Sequence, residues 1–317
     1  MVETEGGRGK LPATAPACEK EIEKALNEVA TLFDGTNVYP FLVEVSLDAK
    51  MVGVIFDELT DRFDSGGDRL LVMVHSGGGN VDAAYNMAEL FRSYGKKELL
   101  FVVPRGAKSA ATVLVCGGDK ILMAPPAELG PVDPQITEMN LLENRLEQFS
   151  PLHIESTLEL IRDEFKNGND KLAEGLIQRL QFPLTLGSFK KSLELGQVYL
   201  ERLLSSRMLK DQSEAASKAA KRLTEGYPDH SFCINLAEAQ DLGLKAEALE
   251  GQALKAVWRI HRLDQQRREI TKKKKQREME KQIKDLPPEI LQGLPELGDA
   301  LDQHGSREVD QREPGSL

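Results

Sequence analysis

The hydrophobic positions of this chain change rhythm near its middle. Up to about residue 125, short and nearly continuous apolar runs alternate with stretches in which apolar residues recur every three or four positions. Leu70–His75, Leu99–Val103 and Lys120–Met123 are of the first kind, the pattern of strands buried on both faces. Tyr39–Ser46, rich in Phe, Leu and Val, reads as a further strand. Glu19–Phe33 (Ile22, Leu26, Val29, Leu32) and Asp48–Phe63 (Met51, Val54, Ile55, Leu59, Phe63) have helical spacing. Asn80 caps a helix that runs to about Tyr94, and Ser109–Cys116 forms the next. Strands alternating with helices predict an α/β fold built from parallel βαβ units. Ligand sites in such sheets lie beyond the carboxyl ends of the strands.

Beyond the middle the pattern is helical. Glu155–Asp163, Asp170–Leu180, Leu186–Leu204 and Glu214–Leu223 read as helices. A small apolar strand at Ser231–Ile234 precedes a short helix over Asn235–Leu242. Residues 250–285 read as one long polar helix whose apolar positions (Val257, Ile260, Leu263, Ile270, Met279, Ile283) are too sparse for a coiled coil. The expected layout is a disordered start over 1–18, an α/β domain over 19–250, a charged helix over 251–286 and a disordered tail over 287–317. No internal repeat is visible.

Composition narrows the functional classes. The 317 residues carry a formal net charge of −10, which argues against general nucleic-acid binding. The charge is uneven: Lys255–Asp285 holds 12 Lys/Arg against 5 Asp/Glu. No apolar run approaches the ~18 residues of a membrane span, and Met1–Lys10 lacks the order of a signal peptide. Cys18, Cys116 and Cys233 fit neither a disulfide framework nor a zinc site. A cytoplasmic protein without a metal or cofactor is expected.

Two segments carry candidate chemistry. Strand Leu70–His75 ends in Ser76-Gly77-Gly78-Gly79-Asn80, and Ser109 opens a helix in Gly106-Ala107-Lys108-Ser109-Ala110-Ala111-Thr112. Glycines let backbone N–H groups approach a reacting oxygen, because no Cβ intervenes. A serine at a helix start stands beside unpaired N–H groups and the positive end of the helix dipole. Together they supply an oxyanion hole and a nucleophile for acyl transfer. Taken separately, the first is also a capped turn and the second an ordinary helix cap. The glycines are not a dinucleotide fingerprint, since Asp82 stands where the third glycine is required. Gly77, Gly79 and Asp133, the last in Glu128–Gln135, are candidates for the substrate cleft, with Asp133 able to orient a base.

Other residues admit blander readings. Lys108 diverges from Ser109 by ~100° on a helix and is expected to be surface charge. His75 is expected in a hydrogen-bonded structural role, and His261 and His304 in solvent. His153 follows Pro151 in a loop and carries no signal. His230 lies in the loop Gly226-Tyr227-Pro228-Asp229-His230-Ser231 and is a candidate general base. Lys272–Lys275 reads as a solvated face, with an acidic partner or nucleic acid as the sharper alternative.

These motifs resemble the Clp protease/crotonase superfamily, and within it the serine dehydrogenase proteinase family, relatives of signal peptide peptidase A. The matches are His75–Gly79, Ala107–Thr112, Gly118–Met123, Leu129–Gln135, Gly226–His230 and Glu238–Leu244. The resemblance implies a Clp/crotonase-like parallel sheet and a serine endopeptidase acting on peptides or proteins. It implies Ser109 as nucleophile, Gly78 and Ala110 as oxyanion-hole donors, and assembly of several copies. Two departures stand out. Gly77 replaces the family's proline, and Gly130–Pro134, where Clp-type peptidases carry their histidine base, contains none. The base is therefore His230, a lysine such as Lys166, Lys190 or Lys191, or absent. An inactive scaffold and an acyl-CoA enzyme are the rival functions.

Overall fold

The computed structural model describes residues 11–63, 68–132, 136–140, 145–149, 151–179 and 186–284. Its first half runs α1 (Ala15–Leu32), β1 (Asn37–Leu42), α2 (Ala49–Arg62), β2 (Arg69–His75), α3 (Val81–Tyr94), β3 (Glu98–Val103), β4 (Gly106–Ala107), α4 (Ala110–Val115) and β5 (Lys120–Met123). There follow β6 (Glu128–Leu129), β7 (Ile136–Asn140), β8 (Arg145–Phe149), α5 (Pro151–Lys166), α6 (Asp170–Arg179), α7 (Leu186–Ser206), α8 (Ser213–Glu225), α9 (Leu236–Asp241), β9 (Ala246–Ala248) and α10 (Gly251–Lys284).

Five strands form one parallel sheet in the order β1-β2-β3-β5-β9. Successive strand residues face opposite sides, and both sides of β2 are covered. Leu70, Val72 and Val74 join a core with α3, α4 and α8, through residues such as Met87, Phe91, Leu114 and Ala219. Leu71 and Met73 join a second core with Ala25, Leu26 and Val29 of α1 and Val257 and Ile260 of α10. This is why β2 is apolar from Leu70 to Val74. Each such fully buried aliphatic side chain contributes about 1.5–3 kcal/mol.

Glu19–Asp264 forms one compact unit, which takes in the first turns of α10. Here the sparse apolar positions of that helix matter. Ala256, Val257, Ile260 and Leu263 make a single stripe that packs on the sheet, and His261 and Asp264 are buried with it. His261 is only 2% exposed, contrary to the solvated position expected. Its ring stands 4.9 Å from that of His75 and 5.3 Å from that of Trp258. Of the described residues, 11–18 and 265–284 belong to a second unit, in which Lys272–Lys275 are exposed on α10. His153 falls in the first turn of α5 rather than in a loop, since Pro151 opens that helix. Instead of a strand at 231–234, Ile234 alone pairs, antiparallel, with Leu129. Asp133, His304 and the tail expected from 287 lie outside the described residues.

Candidate active site

The site grows from the carboxyl end of β2. After His75 the chain does not enter α3 directly. Ser76 pairs in parallel with Ala107 of β4: Ser76 N–H donates to Gly106 O at 3.0 Å, and Lys108 N–H donates to Ser76 O at 3.0 Å. On its other side the glycine turn is held by Leu47, whose N–H donates to Gly78 O at 2.9 Å. Asn80 then caps α3, its Oδ1 accepting the Ala83 N–H at 2.8 Å.

Two glycines of the turn need to be glycine. Gly78 has φ +101° and Gly79 φ +148°. A methyl group added at Gly78 would stand 2.6 Å from Lys108 O, 2.8 Å from Ser109 Cβ and 3.2 Å from Ala110 N. The turn is thus pressed against the start of α4, where Gly78, Ser109 and Ala110 lie together. A methyl group at Gly79 would meet Leu47 N at 2.3 Å, so that glycine serves the closeness of the Leu47 segment. Gly77 is exposed, and nothing lies within 4 Å of a methyl group added there.

Ser109 adopts φ +52° and ψ −123° and makes no capping hydrogen bond. A non-glycine residue in such a conformation costs of order 1–3 kcal/mol. The conformation lets the chain turn sharply from β4 into α4, where Ala110 and its neighbours are buried. Ala110 opens α4, so its N–H is one of those a helix leaves without an internal acceptor. Ser109 is 9% exposed. Beneath the turn, Thr112 Oγ1 lies 2.8 Å from Ala107 O and 2.7 Å from Gly130 O, and accepts the Gly130 N–H at 3.2 Å. One buried hydroxyl thus joins β4, α4 and the segment after β6.

Lys108 is not free surface charge. It is 21% exposed, and its Nζ lies 3.3 Å from Leu129 O, from Phe232 O and from Glu128 Oε1. These three contacts hold the Lys108 side chain against β6 and the Phe232 segment. It clamps the Gly226–Ile234 segment to β6, where Leu129 and Ile234 also exchange backbone hydrogen bonds of 2.8 and 3.1 Å. Burial alone would raise the Glu128 carboxyl, but the Cys233 thiol's hydrogen bond and the Lys108 and Arg105 charges hold it below its usual value. In return that hydrogen bond to Glu128, with some burial, pushes the Cys233 thiol up.

His230 rides on the clamped segment. Its Nδ1 is buried and has no hydrogen-bond partner among the described residues. Among those residues no hydrogen bond joins it to Ser109. Of the lysines considered, Lys166 is exposed and pairs with Asp163 at 2.9 Å, and Lys191 is exposed. The side chain of Lys190 lies outside the described ones. His75, on β2, lies 3.3 Å through Nδ1 from Gly106 O. Ser76, Thr112 and the Lys108–Glu128–Cys233 cluster were not singled out as parts of a site from the sequence. Only the position of Ser76 and Thr112 within the two motifs pointed to them.

Residues 62–163 match the model of the family of ClpP-like SDH-type serine proteinases. The chain is 30% identical over 176 residues to an uncharacterised protein of Methanocaldococcus jannaschii, covering 56% of this chain and 52% of that one. A second uncharacterised protein of the same organism is 22% identical over 174 residues, with 55% and 50% covered. The chain spans about half the length of these curated relatives. Among solved structures, a mutant of the 1510-N membrane-bound stomatin-specific protease is 14% identical over 70% of this chain and 84% of its own, with a TM-score of 0.43. ClpP1 from Listeria monocytogenes is 13% identical over 74% and 95%, with a TM-score of 0.38. No described helix is long and apolar enough to cross a membrane.

Proposed function

We propose that this chain is a serine endopeptidase in which Ser109 forms the acyl-enzyme. The observation that carries the reading is the strained Ser109 backbone, held directly against Gly78 at the start of α4. Strain at a reactive serine is retained where the turn presents the hydroxyl. Ser109 Oγ attacks the peptide carbonyl carbon and gives its proton to a base, while the carbonyl electron pair moves onto oxygen. The N–H groups of Gly78 and Ala110 hold that oxyanion. Collapse of the intermediate expels the amine, which takes the proton back from the base, and water then releases the acyl group. Gly77, Gly79 and Asp133 are proposed to border the peptide.

His230 is the base this reading favours. The clamp through Lys108 brings its segment beside the start of α4, and its buried Nδ1 lacks a partner among the described residues. A lysine base needs burial to become neutral, and Lys166 and Lys191 are exposed. The substrates are peptides or proteins, and the other partner is a second copy of this chain. The test is Ser109→Ala: labelling by a fluorophosphonate and cleavage of a peptide library both disappear. Labelling that survives the substitution overturns the assignment. The second reading, an inactive scaffold, draws on one observation: no base is hydrogen-bonded to Ser109 among the described residues. A native chain that fails to react with fluorophosphonate under any condition supports it.

A further inference from the structure

One hydrogen bond in the glycine turn is at odds with a hole that stands ready. Gly78 N–H, the donor that would face the oxyanion, already donates to Ser76 Oγ at 3.1 Å within the protein interior. Ser76 is 1% exposed, and its backbone is fixed on both sides by β4 through Gly106 O and the Lys108 N–H. Its hydroxyl oxygen therefore sits at a defined place two residues before the donor, the geometry in which serine caps a following amide. We propose that Ser76 is a positioning residue that occupies the Gly78 donor in the resting enzyme and yields it to the substrate oxyanion. The inference rests on the serine-peptidase reading given above.

The physical consequence follows from differential binding. An interaction made in the resting state and surrendered at the transition state lowers the rate, because its loss is added to the barrier. The turn is built to permit the exchange. Gly77, between latch and donor, is exposed and meets nothing within 4 Å of a Cβ position, so no side-chain packing fixes the Gly77–Gly78 peptide. Gly78, by contrast, is confined at its Cα by Lys108 O and Ser109 Cβ. Its N–H can change acceptor by a small swing of the peptide while the Cα stays beside Ser109. A peptide carbonyl with little charge competes weakly with the Ser76 oxygen, whereas an oxyanion competes strongly, since hydrogen bonds to charged acceptors are about twice as strong. The latch therefore tunes the hole toward the charged state.

The experiment compares the full chain with Ser76→Ala and Ser76→Thr. Ser76→Ala is expected to raise kcat, and the rate of fluorophosphonate labelling, about two- to tenfold, the range that one hydrogen bond supports. KM stays near its original value, and Ser76→Thr, which keeps a hydroxyl, stays near wild type. A fall in kcat for Ser76→Ala with an unchanged melting midpoint overturns the proposal, as does no change at all. Two measurements on the amide itself separate this inference from the peptidase reading and do not depend on Ser76→Ala folding. Hydrogen exchange at Gly78 is slow in the native chain and accelerates in Ser76→Ala, whether or not either hydrolyses peptides. In the native chain the Gly78 amide resonance shifts when a phosphonate is attached to Ser109. An amide that exchanges freely in the native chain, or that does not respond to the phosphonate, overturns the latch even if Ser109→Ala abolishes activity. Slow exchange released in Ser76→Ala, in a chain that never reacts with phosphonate, supports the hydrogen bond but overturns its role in catalysis.

Discussion

At Gly78 one methyl group violates two conditions at once. The residue's φ of +101° is open to few L-residues, and the added carbon would stand 2.6 Å from the Lys108 carbonyl. Gly78→Ala is expected to lower stability by about 1–3 kcal/mol, with loss of fluorophosphonate labelling. Gly77→Ala, which meets nothing, should change the midpoint of urea unfolding by less than about 0.5 kcal/mol. Equal losses in the two variants would show that the turn does not press on Ser109. The same contrast explains what was readable here. A glycine run before a helix and a small-residue helix start mark a close approach in any sequence, so Gly78, Ser109 and Ala110 stood out. The proposed base, His230, stood out less, because residues more than a hundred positions apart leave no local spacing to read. Lys108 was misread for the same reason: its three acceptors lie on β6 and the Phe232 segment, both remote in sequence.

At the scale of elements, the start of α4 is held by Thr112, and the His230 segment by the Lys108–Glu128 pair. Thr112→Val keeps the shape but removes the acceptor of the Gly130 N–H and the one hydroxyl donor shared by the Ala107 and Gly130 carbonyls. A loss of about 1–3 kcal/mol in urea unfolding is expected, with activity falling further than stability alone explains. Glu128 carries a pH signature. Its carboxyl titrates lower when folded than when unfolded, so its contribution to stability is present above the usual carboxylate range. That contribution is lost as pH falls through the depressed folded value. The melting difference between wild type and Glu128→Gln is therefore expected at neutral pH and vanishes in acid. Cys233 reports on the same pair, because it alone of the three cysteines is exposed. Removing the carboxylate that raises its thiol should speed iodoacetamide alkylation near pH 8. An unchanged alkylation rate in Glu128→Gln would break the link between Cys233 and the clamp. The elements that carry strong periodicity were placed closely from sequence, among them β5 at Lys120–Met123 and the Asn80 cap. Those missed are short or polar. β9 is three residues with two exposed, and β7 reads Ile-Thr-Glu-Met-Asn, pairing with β8 through backbone bonds that side-chain patterns do not announce. Helix α10 looked polar because its buried apolar stripe, from Ala256 to Leu263, lies within its first turns.

At the scale of the whole molecule, large apolar side chains stand exposed on two neighbouring helices. Helix α5 leaves Leu158 37%, Leu160 54% and Phe165 40% exposed, and α6 leaves Leu172 54% and Ile177 46% exposed. Leu158 and Phe165, seven residues apart, share a helix face. Exposed large apolar side chains gathered on neighbouring helices mark an interaction surface more often than they decorate a monomer. A net charge of −10 opposes association at long range, so contact must come from apolar burial at short range. The expected outcome is a stable oligomer in light scattering at micromolar concentration, strengthened by ammonium sulfate. Leu158→Glu combined with Phe165→Glu should return the chain to about its 35.1 kDa monomer mass while Ser109 still reacts with fluorophosphonate. A native chain that scatters as a monomer would end the proposal of self-association. An oligomer that survives the double substitution would keep it and move the interface elsewhere, with Val54 and Phe56 of α2, 56% and 51% exposed, as the next surface to test. If labelling falls together with the mass, association also supports the site, and the arrangement around Ser109 depends on a neighbouring copy.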